Sequence, residues 1–222
     1  KGKAPITPET AIKLEYVLGS PASFWNNLQA NYEDTLARVA AQEKIEEELE
    51  IATQIPYREM VNNGWVKPAA TMQEKIINLR SLLKVSSLSN IENALCVNLR
   101  CSTHGTTSIY ALATWIQICT NKAYEINTEP YDNAKLKAYL PDIKALSLEK
   151  PEVFIPKLKE IFSSCGIAFI VLPHFSNTKI HGVTKWLNPN KAMIALTLRL
   201  KFADIFWFSL FHEIGHVLQP KC

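Results

Sequence analysis

Long apolar runs, one-sided charge and a disulfide pattern are all missing from this chain, and each absence excludes something. No uninterrupted apolar run reaches about 18 residues, so no membrane-spanning helix is expected. The opening stretch, KGKAPITPET, has neither a starting methionine nor an apolar segment, so no secretory signal is expected there. Lysine and arginine number 24 against 21 aspartates and glutamates, and a net charge of +3 is too small to argue for nucleic-acid binding by itself. The five cysteines (Cys96, Cys101, Cys119, Cys165, Cys222) are odd in number and have no repeating spacing. They read as reduced thiols of a cytoplasmic protein rather than a disulfide framework. Internal repeats and low-complexity segments are also absent.

What remains is an ordinary globular composition: 222 residues, 47% hydrophobic and 20% charged, enough for one large domain or two modest ones. Both ends read as cut. The start lacks methionine, and the end falls about one turn past an apolar helix that carries two histidines four apart. The chain is therefore expected to be a fragment of a longer protein.

Helical signals fill residues 1–55. Thr7 suits an N-cap, Pro8 the first helical position and Gly19 the position past the end. Ala11, Leu14 and Leu18 form an apolar stripe, with Ile12 and Val17 at its edges. Ser20-Pro21 repeats the cap-then-proline signal ahead of a second helix carrying Phe24, Trp25, Leu28, Tyr32, Leu36 and Val39. Its acidic end, EKIEEELE, reads as a solvated face. Pro56, Gly64 and Pro68 mark a boundary near 55–70. Thr71 and Glu74 in TMQE form a capping box, and Ile76, Ile77, Leu79, Leu82 and Leu83 are the expected buried positions of the helix that follows. A short helix is expected near Ile91, and another over 108–121 with Leu112, Trp115, Ile116 and Cys119. Asp132 is expected to cap a helix around Leu136. Residues 151–164 read as a helix with Pro156 as its weak point and Gly166 as its stop.

The periodicity then changes. GIAFIVLPHF (166–175) is rich in β-formers, and HGVTKWLNPNKAMIALTLRL reads as strand, turn, strand around Asn188-Pro189-Asn190. Alternation places Ile194, Leu196, Leu198 and Leu200 on one face. Asp204 is expected to cap the last helix. Helices, three short strands and a final helix imply an α+β fold rather than alternating βαβ units.

The last helix contains H-E-I-G-H. On a helix, i and i+4 share a face, so His212 and His216 can present their imidazoles to one ion. Glu213 lies one residue round, in reach of a water held by that ion. Neutral imidazole suits zinc, and a carboxylate so placed can take the water's proton and pass it to a leaving amine. A chance H-E-x-x-H in a chain of this length is roughly a one-in-a-hundred event or rarer, and burying these groups on so apolar a helix is costly without a partner. The competing reading is a pair of hydrogen-bonded core histidines. Zinc is the expected metal, although imidazole also suits iron, nickel or copper.

Such a site needs a third ligand. Cys222 lies ten residues after His212, the spacing of the third ligand in H-E-x-x-H-x-x-G-x-x-H proteins. Gln219 stands where those proteins have glycine, and their ligand is histidine. His174 and His181 flank the strands and are further candidates. Cys101 and His104 have C-x-x-H spacing, which is weak on its own. The leading expectation is a ligand beyond the present C-terminus.

The segment GIAFIVLPHF…HGVTKWLNPNKAMIALTLRLKFADIFWFSLFHEIGHVL resembles the ImmA/IrrE family of metallopeptidases, in which a two-stranded element precedes an aromatic-rich helix and then H-E-[LI]-G-H. The resemblance covers about 150–218, and the helices from about 70 look like that family's upstream partner. It implies His212 and His216 as metal ligands, Glu213 as the catalytic carboxylate and a further acidic ligand on a following helix, which has no counterpart here. That family often continues with LLHG, where this chain has Leu218-Gln219-Pro220-Lys221. GKAPITPETAIKLEYVLGSPASFWNNLQANYE resembles the end of a HigA-type antitoxin, a helix-turn-helix protein of the XRE class. The recognition helix would lie upstream of Lys1. Trp25 and Tyr32 are then core or dimer residues, and Lys1 and Lys3 contact phosphate or simply solvent.

Together the resemblances imply a remnant of an XRE/HigA-like domain with a connecting helix over 1–55, and over 56–222 an ImmA/IrrE-like peptidase domain truncated after its motif helix. The expected protein is a cytoplasmic transcriptional regulator or antitoxin with a zinc-dependent endopeptidase domain, weak or inactive in this fragment. Its expected partners are a protein substrate, toxin or repressor. DNA binding is expected of the full-length protein and not of this chain, and a homodimer fits the antitoxin-like head. One alternative is a non-catalytic HigA-like antitoxin that binds a toxin and autoregulates its operon. Another is a catalytically silent domain whose histidines serve packing.

Overall fold

The computed structural model describes residues 4–91, 108–176, 178, 180–197 and 203–219. Cys96, Cys101, His104, Leu198, Leu200, Cys222 and the lysines at 1 and 3, all named above, lie outside the described residues. The architecture is α+β. The chain divides into two compact units between Leu49 and Glu50, just ahead of the proline-marked boundary.

The first unit is built on helices α1 (Pro8–Leu18) and α2 (Ala22–Glu47). The Thr7 side chain accepts from the Thr10 amide, Pro8 opens α1, and Gly19 closes it at φ 73° in the left-handed region that glycine enters without strain. The start of α2 differs from expectation. Ser20-Pro21 stays outside the helix, and the Ala22 amide donates instead to the Glu15 carboxylate at 2.6 Å, because α1 presents that side chain across the turn. Gln29 on α2 accepts from the Ile6 amide at 3.0 Å. Of the α1 stripe, Ala11 is buried, while Ile12, Val17 and Leu18 are exposed.

Helix α3 (Leu49–Gln54) begins at the division, and the second unit continues through α4 (Tyr57–Asn62), α5 (Met72–Leu83), α6 (Ile109–Glu125), α7 (Asn133–Ala145), α8 (Pro151–Ser164), strands β1 (Ile167–Leu172), β2 (Gly182–Asn188) and β3 (Lys191–Thr197), and α9 (Ala203–Leu218). Its local signals act much as their chemistry predicts. Thr71 accepts from the Glu74 amide at 3.1 Å, although Glu74 reaches back to the Ala70 amide rather than that of Thr71. Asp132 caps α7 by accepting from the Lys135 amide. Ile76, Leu79 and Leu83 are buried, whereas Ile77 faces outward. A 3₁₀ turn, Leu88–Asn90, leads into Ile91. Asp204 lies inside the first turn of α9 rather than at its cap, where its charge still complements the helix N-terminus.

The sheet order is β1-β3-β2, with β3 antiparallel to β2 through the Asn188–Asn190 turn and parallel to β1. Strand β3 is therefore central. Ala192, Ile194 and Leu196 join Ile167 and Phe169 of β1, Phe154, Leu158 and Phe162 of α8, and Trp207, Leu210, Ile214 and Val217 of α9 in one core. Helix α6 packs against β1 and β3, and Lys185 of β2 reaches its Thr120. Met193 and Ala195, which alternation turns away from the α8–α9 core, are buried as well. Helices therefore cover both faces of β3, and a strand covered on both sides is apolar throughout.

Candidate metal centre

Helix α9 is divided by its own periodicity. Trp207, Leu210, Ile214 and Val217 recur at three- and four-residue steps and are buried against the sheet. His212 and His216 lie on another face, His212 exposed and His216 half-buried. Their Nε2 atoms are 3.1 Å apart and their rings meet edge to face, with centroids 4.6 Å apart. Two imidazole nitrogens this close need a shared proton or a cation between them, since facing lone pairs repel. Two Zn–N bonds of about 2.0–2.1 Å at a tetrahedral angle set the nitrogens about 3.3 Å apart. The pair thus fits two positions of a zinc site with little adjustment. The Nδ1 of His216 is buried with no hydrogen-bond partner among the described residues. A metal-held imidazole usually donates from that nitrogen, so this donor is unsatisfied here.

Glu213 turns the other way, toward β2, and is only 3% exposed. The Thr184 hydroxyl lies 2.6 Å from its Oε2, donating to it, and 3.1 Å from its backbone carbonyl. Burial pushes the Glu213 carboxyl above the usual carboxylate range. The Thr184 hydrogen bond and the nearby His216 and His212 partly offset that rise. Gly182, two residues before Thr184 on the same strand face, lies against the carboxylate. A Cβ there would stand 2.9 Å from Glu213 Cγ, 3.0 Å from Oε1 and 2.8 Å from Leu196 Cδ2. At the far end of α9, Tyr131 donates its hydroxyl to the Val217 carbonyl at 3.2 Å and stacks edge-on against Trp186 of β2.

The His212 and His216 Nε2 atoms are thus close together, while the Glu213 carboxylate is held by Thr184. His174 and His181 are not added to them. Among the described residues no group of three or more His, Cys, Asp or Glu side chains is placed to hold a metal ion. Thr184 and Gly182 escaped the sequence reading. A glycine opening a strand is a sign of close backbone approach, and Gly182 carried that sign; what approaches it was not legible. No family model, curated protein or solved structure matches the chain.

Proposed function

We propose that the second unit is a zinc-dependent metallo-endopeptidase domain of the ImmA/IrrE type, joined to an antitoxin-like helical segment in a cytoplasmic regulator. The observation that carries this reading is the convergence of the His212 and His216 Nε2 atoms at 3.1 Å beside the buried carboxylate of Glu213. His212 and His216 would hold the ion. Zinc, when bound, supplies polarisation of a peptide carbonyl and a more acidic water. Thr184 occupies Oε2 of Glu213, which leaves Oε1 to accept the proton and return it to the departing amine nitrogen. Burial makes this carboxylate a stronger base than one in water. The partner is a protein: a substrate, or a toxin or repressor. Operator DNA and a homodimer go with the antitoxin-like head.

The exposed apolar row on α2 (Phe24, Leu28, Tyr32, Leu36, Val39) favours a second reading, a non-catalytic antitoxin that binds a toxin.

Zinc titration of the chain against a chromophoric chelator tests the first reading. One site is expected, held loosely, lost in His212→Ala and kept in Glu213→Gln. Binding that survives His212→Ala, or no binding by the unaltered chain, overturns it.

A further inference from the structure

We propose that Thr184 is a positioning residue that keeps the Glu213 carboxylate beside the histidine pair but off the metal, with Gly182 as the gap that admits it. The proposal rests on the metal-centre reading above. A carboxylate next to two imidazoles is itself a good zinc ligand. If Glu213 bound the ion it could not act on a water there, so something must hold it back. The holding contact is the 2.6 Å hydrogen bond from Thr184 Oγ1 to Oε2. The hydroxyl has one proton, and the carboxylate oxygen is nearer than the Glu213 backbone carbonyl at 3.1 Å. A hydrogen bond to an ionised acceptor is roughly twice as strong as a neutral one, and the site is buried, so releasing the carboxylate into it unpaired is costly.

Gly182 supplies the second half of the cradle. Its missing side chain leaves room for Cγ and Oε1, while Thr184 takes Oε2. Both residues are pinned by strand register, Gly182 opposite Leu196 and Thr184 opposite Ile194. A strand flanking a packed helix places a hydroxyl more rigidly than a loop does. Thr184 therefore acts through Glu213, by fixing where that carboxylate can go.

Cobalt(II), which takes the same ligand types and absorbs visible light according to its ligands, is the probe. The unaltered chain, Glu213→Gln and Thr184→Ser are expected to give one common cobalt spectrum, because the carboxylate is not a ligand and serine keeps the donor. Thr184→Val keeps the shape and loses the donor. It is expected to shift the spectrum and tighten cobalt binding by about tenfold as Glu213 swings onto the ion, and adding Glu213→Gln should abolish both changes. Thr184→Ala gives the same comparison if the valine variant does not fold. An unchanged spectrum in the valine or alanine variant overturns the proposal. So does a change that persists without Glu213, or a serine variant that behaves like valine, since each would make the role one of packing. Failure of the unaltered chain to bind cobalt overturns the metal-centre reading itself, and this proposal with it.

Discussion

The two units handle apolar side chains in opposite ways. In the first, Phe24, Leu28, Tyr32, Leu36 and Val39 recur along α2 and remain 48–54% exposed, while Ala11 is buried on α1. In the second, β3 is buried on both faces, and Phe162, Phe169, Leu158 and Trp115 are almost wholly removed from water. Both patterns come from regular apolar spacing. What differs is a covering layer: the sheet gives α8 and α9 a broad surface to bury against, whereas two helices joined by a tight turn cover little of each other. Regular spacing therefore predicts a helix or strand in both places, but predicts a core only where a second layer exists.

The largest expected effect tests that contrast directly. Phe162→Ala removes a fully buried ring whose centroid lies 5.0 Å from that of Phe169, and should cost about 3–5 kcal/mol in urea unfolding. Leu28→Ala on α2 should change stability by no more than about 0.5 kcal/mol. If Leu28→Ala costs as much as Phe162→Ala, the α2 row is covered in solution and the contrast breaks.

Glycines sharpen the same comparison. Gly19 sits in open space, and only its φ of 73° resists a side chain; Gly19→Ala should cost about 1–2 kcal/mol. Gly182 has ordinary backbone but no room, since a Cβ would lie 2.8–3.0 Å from Leu196 and Glu213. Gly182→Ala should cost about 1–3 kcal/mol through overpacking and, by pushing Glu213 out of its cradle toward the histidine pair, should also tighten metal binding, which Gly19→Ala should not. Equal metal affinity in both variants would mean that Leu196 yields and Glu213 stays in place.

What was legible in the sequence follows the same line. Thr7, Thr71 and Asp132 were readable as caps because a cap acts over three residues. The β2–β3 hairpin was readable from Asn188-Pro189-Asn190, and the close approach of His212 and His216 from two histidines four apart on one helix. Interactions that cross between elements were not readable. Glu15 displaces Ser20 at the head of α2, β1 docks parallel on the far side of β3, and Thr184 meets Glu213 across 29 residues. Each depends on which elements become neighbours, and no local spacing encodes that. The same holds for β3: alternation shows that Ile194 and Leu196 share a face, but only the fold shows that α6 covers the other, where Met193 and Ala195 are buried.

Covering both faces of a sheet also traps a charge, and this gives the smallest effect. Lys185 on β2 points toward α6, and burial lowers its amine below the ordinary 10.5. A lysine with a depressed folded value holds its proton less readily in the folded chain than in the unfolded one. Stability therefore rises with pH between the lowered value and 10.5, and the cost of burying the charge is fully present at neutral pH. Lys185→Met should stabilise the chain at pH 7 by less than about 1 kcal/mol, because water still reaches part of the side chain. The gain should shrink as pH approaches 10.5, read as converging urea midpoints for the two proteins. A gain that stays constant up to that pH would show that the methionine helps by packing alone, and that the second layer over β2 excludes water from Lys185 less than its burial indicates.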